Sequence, residues 1–491
     1  MGVTQKYKKP YSTTPFTNCM IKISIVDQRI ETALHAAFPK PPNAAKKHLN
    51  KYVSVLENML EQSELRGFTY KTKFPSYQIS LHQFELDTPR MGSQKKRLYA
   101  WLNENKMQLF DVIKLGTKTG SNNGPSIVKA STAIDIAFVD DRVDPKVAFD
   151  KLHPNFHLLS DHEIATDYDC CEVDVHSLEN YLQFFINKKA HTKLNNKERS
   201  AYVQAMRIIS AAKEKNNLYY QKKKLSPFGR TYYEGLSVQN INKKTREAML
   251  GDSFEYDMRS SVVAWKLGYA QMYINSKKKL LGSTVQSVFP ECYQYWINKS
   301  VLINDIQSHV FNSNHNYSND KQIKLIKQAI TALNFGAKRS AGIYFDKEGE
   351  LHQKAINQIF TDKEECDRFL SFPRVIAFVD EQKLLNKTIM NWVKPNQPQL
   401  LNKGFLLNVK DKLKPLKTLA YLYQHEETRV MDIVRAHAKT HGLIILANVH
   451  DAIVFKEQLE SHVKQTIHDD IHTQTNNSYW FLNETQLKRT N

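Results

Sequence analysis

Two aspartates of this chain stand where apolar runs end, and a histidine sits beside one of them. "LIILANVHDAIVFK" (443–456) climbs through apolar and small residues to Asn448, presents His450-Asp451, and turns apolar again. That pattern predicts a buried hairpin with a charge at its tip. Taken alone, a His-Asp pair at a turn reads as local capping chemistry. "GDSFEYDMRSSVVAWKLGYAQMYINS" (251–276) supplies a second such aspartate: Ser253 to Tyr256 are strand-like, Asp257 follows, and "VVAWKLGYAQMYI" reads as an amphipathic helix. If Asp257 meets Asp451 across adjacent strands, the two carboxylates can hold a pair of divalent cations about 3.5–4 Å apart. Such a pair activates a hydroxyl nucleophile and stabilises a leaving phosphate. Hard oxygen ligands suit Mg²⁺, with Mn²⁺ as a substitute, and leave room for water and substrate phosphates.

A third segment adds cations. In "NDKQIKLIKQAITALNFGAKRSAG" (319–342) the spacing predicts a helix capped by Asn319 or Asp320 and closed by Gly336. Lys324, Lys327, Thr331 and Lys338 fall near one face of it, and Phe335 joins that face beside the helix end. Ammonium groups and a ring so placed suit a nucleoside triphosphate, although basic helical faces are common.

The elements that must carry these residues occupy a chain of 491 residues, more than one ordinary core holds. Residues 1–150 alternate helix-like and strand-like pieces and predict an N-terminal α/β domain of unknown role. Within it, 44–67 reads as an amphipathic helix, "SYQISLHQFEL" (76–86) as a strand, and "GTKTGSNNGPS" (116–126) as a mobile loop. Asp135, Asp140 and Asp141 lie in "TAIDIAFVDDRVDP", but the further carboxylate motifs of an acidic exonuclease site are not evident, so a strand end and turn is the plainer reading. Residues 151–225 predict a helical region, an arm that the resemblance given below would make a thumb. Its 176–224 stretch is basic, with Arg199 on an amphipathic helix and Tyr219-Tyr220 beside Lys222–Lys224, as a grip on a phosphate backbone would need. Residues 226–491 hold the three motifs.

The net charge is +19, which points to a polyanionic partner, nucleic acid first. The five cysteines form no C-x-x-C pair, as free thiols in a reducing cytoplasm would have it. No stretch approaches the ~20 apolar residues of a membrane span. The expectation is a cytoplasmic protein without membrane contact; oligomeric state is left open.

In order, Asp257, the Lys327/Phe335 helix and His450-Asp451 resemble motifs A, B and C of a polymerase superfamily. That superfamily joins family A (bacterial polymerase I-like) DNA polymerases with phage-type single-subunit RNA polymerases. The resemblance implies a right-hand α+β fold of palm, fingers and thumb with an antiparallel palm sheet. It implies two metals on Asp257 and Asp451, and a triphosphate on Lys327 with Lys324 and Thr331 nearby. Phe335 would border the nascent base pair. "FGRTYYEGLSVQNINKKTREAML" (228–250) resembles the segment that contacts template and primer, matching at Arg230, Gln239, Asn240 and Arg246. "YLYQHEETRVMDIVRAHAKTHG" (421–442) resembles the helix before motif C, with Gln424 facing the duplex, and His450 would orient the turn or touch the primer end. The likeness spans about 225–480.

Departures concern the sugar. Val262 stands where the DNA branch keeps glutamate and the RNA branch glycine, and Thr331 replaces the DNA branch's aromatic. Phe335 lacks the hydroxyl with which the RNA branch senses ribose; "VHDAIVF" and "SVQNI" look like the DNA branch, "TALNFGAK" like the RNA branch. The reading taken is DNA-templated DNA synthesis, with RNA or primer synthesis and a non-catalytic nucleic-acid binder as alternatives. Compact size and missing exonuclease motifs suggest a phage or plasmid replication enzyme.

Overall fold

The structure, a computed structural model, describes residues 21–490 apart from 40, 42, 66–75, 92–95, 117, 120, 121, 124, 139–143, 192, 193, 278–281, 312–316, 346–350, 409 and 410. The chain is α+β, with small antiparallel sheets between long helices. It divides into two compact units: 1–224 with 233–252 and 487–491, and 225–232 with 253–486.

The first unit is built on two long helices. Ala44–Leu65 buries Leu49, Tyr52, Leu56 and Leu60 against the strand pair Ile21–Ile25 and Ile134–Phe138 and beside Ser76–Ile79. Asn196–Glu214 packs on Pro145–Leu152, Val175–His191 and the Ala44–Leu65 helix. Its arginines are not surface decoration. Arg199 Nε donates to Glu64 at 2.6 Å, and Arg207, 1% exposed, pairs with the fully buried Glu61. Buried charges persist only when paired and hydrogen-bonded, so these two pairs weld the helices together and Arg199 does not face a phosphate backbone.

Several local expectations change here. "SYQISLHQFEL" is a strand only to Ile79. Ser80 then caps a helix, Leu81–Asp87, by accepting from Gln83 N at 3.3 Å, because a serine followed by longer side chains offers the backbone that alternative. In 116–126, Lys118–Thr119 pairs with Asn122–Asn123 and Ser126 starts a strand, so the described part is hairpin rather than loop. Tyr219-Tyr220 and the following lysines lie on a strand, Leu218–Leu225, paired with Tyr168–Glu172. Asp135 lies inside a strand, while Asp140 and Asp141 are outside the described residues. A boundary at 150 would cut the Pro145–Leu152 helix, and the described strand pairs of 1–150 are antiparallel, so this part too is α+β.

The second unit centres on a four-stranded sheet in the order Ile445–Val449, Ala452–Phe455, Ser253–Met258, Leu482–Leu487. Pro415–Thr440 and Ser461–Thr475 close one core over it, with Tyr256, Ile453, Phe455, Leu422, Val430 and Ile467 fully buried. Ser261–Asn275 leaves the sheet and runs into a second, helical core with Pro290–Val310, Asn319–Asn334 and Pro373–Asn396. Because it is packed from several sides, ten of its residues are buried. It is therefore an internal helix buried on most sides, not the two-faced amphipathic helix its sequence predicts.

Candidate active site

The strand register brings the two aspartates together. Asp257 pairs with Ala452 across the sheet, so Asp451 stands one residue beyond that partner, and Met258 N donates to the Asp451 carbonyl at 3.1 Å. Both side chains are half-buried. Burial pushes the Asp257 carboxyl above its ordinary range, and the charges of Asp451 and Glu255 push it further, with Lys299 opposing. This is the signature of like charges held close in a poorly solvated place.

Two non-glycine residues flank the pair in left-handed backbone: His450 (φ 55°) in the hairpin turn and Ser260 (φ 45°) before the Ser261–Asn275 helix. Such conformations cost energy and recur where a site dictates the chain path. The His450 ring stands edge-on to Tyr232 at 5.5 Å. The first helical residue, Ser261, lies between Asp451 Oδ2 (3.4 Å) and the Tyr423 hydroxyl (2.8 Å).

Asn319–Asn334 presents its cations outward. Lys324, Lys327 and Thr331 are exposed and line one shallow groove with Asp320, Gln328 and Ala332; Thr331 Oγ1 donates to the Lys327 carbonyl at 2.7 Å. The helix is not capped by Asn319 or Asp320. Its N-cap is Ser318, whose side chain makes no capping bond, and the Asn319 amide oxygen instead accepts from Gln307. The helix ends at Asn334, so Lys338 lies beyond it and off its face. Phe335, 54% exposed, sets its ring edge on Tyr423 at 6.1 Å.

Val262 and Phe335 share a narrow cleft with Trp265, Lys266, Asn334 and Tyr423. Lys266 was not singled out by the sequence reading, although a lysine within "VVAWKLGYA" is a visible signal. It is 2% exposed, donates to the Asn334 carbonyl at 3.0 Å and to Gln382 Oε1 at 2.5 Å, and burial pushes its ammonium down to about 8. It ties the last turn of the Asn319–Asn334 helix to the helix that leaves the Asp257 strand. A cation on a helix's terminal carbonyl also suits the local dipole.

Other residues expected at the site are placed as follows. Arg230 forms a two-pronged pair with Glu427, Nε to Oε1 at 2.6 Å, and lies over the Tyr423 ring at 5.6 Å; its charge is answered within the unit. Gln424 is half-buried on Pro415–Thr440, its Oε1 buried and without a protein partner. Gln239, Asn240 and Arg246 belong to the first unit. There the Asn240 amide accepts from Ser237 N and donates to the Gly235 carbonyl, shaping the turn before Lys243–Leu250.

Among the described residues no group of three or more His, Cys, Asp or Glu side chains is placed to hold a metal ion. The Asp257 and Asp451 carboxylates fit a hard divalent cation: both are oxygen donors, and a cation would offset the burial, and with it the neighbouring charges, that raise Asp257. No described helix is long and apolar enough to cross a membrane. In comparisons with known proteins, no family model and no curated protein matches this chain.

Proposed function

We propose that the chain is a template-directed nucleotidyltransferase that extends a primer or nascent strand on DNA from nucleoside triphosphates. The observation that carries this reading is the placement of Asp257 and Asp451 side by side on neighbouring strands, in the same unit as the exposed Lys327/Phe335 helix end. The reaction is in-line: the 3′-oxygen bonds to the α-phosphorus as the bond to pyrophosphate breaks. Asp257 and Asp451 would hold Mg²⁺, which when bound lowers the pKa of the attacking hydroxyl and neutralises the leaving group. Lys327 and Lys324 answer the triphosphate charge, Phe335 offers a ring face to the base, and the +19 surplus favours a nucleic-acid partner. Val262 and Phe335, which line one cleft, are the residues set to select the sugar, with deoxynucleotides the reading taken and ribonucleotides the alternative.

The test is extension of a labelled primer on a DNA template with Mg²⁺, in parallel dNTP and rNTP mixtures. Template-dependent products in either mixture support the proposal, and their absence from both counts against it. Val262→Gly should shift the ratio toward ribonucleotides by about tenfold, a step worth roughly 1.4 kcal/mol in the competing barriers.

A further inference from the structure

Between Asp451 and the buried Arg230–Glu427 pair runs a line of two hydroxyls that the reading above does not use. Ser261 Oγ is 3.4 Å from Asp451 Oδ2 and 2.8 Å from the Tyr423 oxygen, and the Tyr423 hydroxyl also reaches Glu427. Each hydroxyl carries one proton, so the line has two polarities. In one, Tyr423 donates to Ser261 and Ser261 donates to Asp451. In the other, Ser261 donates to Tyr423 and Tyr423 to Glu427, leaving Asp451 without a donor from this side.

The Ser261–Asp451 bond requires the first polarity, since an ionised carboxylate can only accept. Glu427 is 1% exposed and both its oxygens accept from the Arg230 guanidinium, so its need for a further donor is small. Both ends of the line are held. Tyr423 is buried and wedged by the Phe335 edge, the Arg230 face and Trp265 at 5.7 Å, while Ser261 is pinned as the first residue of an internal helix. The Ser261–Asp451 separation is long for a hydroxyl bond, as catalytic hydrogen bonds often are before the ligand is bound.

We propose that Ser261 and Tyr423 are positioning residues for Asp451, orienting its carboxylate for a divalent cation through the donor line Tyr423–Ser261–Asp451. The inference rests on the reading of Asp257 and Asp451 as cation ligands. Outer hydrogen bonds of this kind typically set 10–100-fold in metal affinity, which is large enough to measure directly.

The experiment is a Mn²⁺ titration of the full chain, free Mn²⁺ followed by its electron paramagnetic resonance signal, with a thermal melt of each variant to confirm folding. Asp451→Asn should lose the site. Ser261→Ala should weaken Mn²⁺ by about tenfold, Tyr423→Phe by less because Ser261 keeps its own proton, and Ser261→Thr should restore affinity by restoring the hydroxyl. If Ser261→Ala and Tyr423→Phe bind Mn²⁺ as wild type does while Asp451→Asn does not, the positioning role is wrong and the cation site stands. If Asp451→Asn also binds as wild type, the cation site itself falls, and the proposed function with it.

Discussion

Asp257 is held in a place that disfavours its charge. A carboxyl whose folded pKa lies above its unfolded value favours the folded state below the unfolded pKa, and that contribution is lost as pH rises through the folded value. At neutral pH the ionised Asp257 therefore costs stability, chiefly through burial and then through the charges of Asp451 and Glu255. Asp257→Asn should raise the melting temperature at pH 7 by about 1–3 °C, and the difference should shrink as pH falls toward 4. A variant less stable than wild type at pH 7 would contradict this account. At this scale the two aspartates were legible, because a charge at the end of an apolar run is conspicuous. Ser261 and Tyr423 were not: their bond joins positions 162 residues apart, and nothing local marks it.

The element that presents Lys327 and Phe335 depends on how it stops. Gly336 has φ 90°, and a Cβ there would lie 2.6 Å from Leu416 Cδ2. Gly336→Ala should destabilise the second unit by about 1–2 kcal/mol from backbone conformation alone, more if Leu416 cannot move aside, read as a lower urea midpoint. An unchanged midpoint would mean that the turn after Asn334 is not constrained as described. Helical periodicity and the glycine made this stop readable. The start was not, since three adjacent polar residues, Ser318 to Asp320, offered equivalent caps. The Ser261–Asn275 helix looked amphipathic because Lys266 and Gln271 punctuate it, yet Lys266 is buried on carbonyl oxygens of two other helices. Periodicity reports polarity, and a buried, bonded lysine is polar without being outside.

For the whole molecule, the α+β class was legible through the polymerase resemblance rather than from the alternation of strand-like and helical pieces, which for residues 1–150 pointed to α/β. The organisation of the first half was not. Residues 1–150 join those that follow through Glu61–Arg207 and Glu64–Arg199, pairs formed between the Ala44–Leu65 and Asn196–Glu214 helices. In sequence those arginines look like part of a basic surface; only packing reveals that they neutralise buried glutamates. The surplus charge that remains fits the proposed nucleic-acid partner, but charge alone does not distinguish a binder from an enzyme. Under the proposed function, the carboxylate pair is what would make that distinction. The decisive measurement is Mg²⁺-dependent primer extension by wild type beside Asp257→Asn and Asp451→Asn, each shown to be folded. The account predicts template-directed products from wild type and a loss of at least about a hundredfold in both variants. Equal extension by all three, or none by wild type, would contradict it.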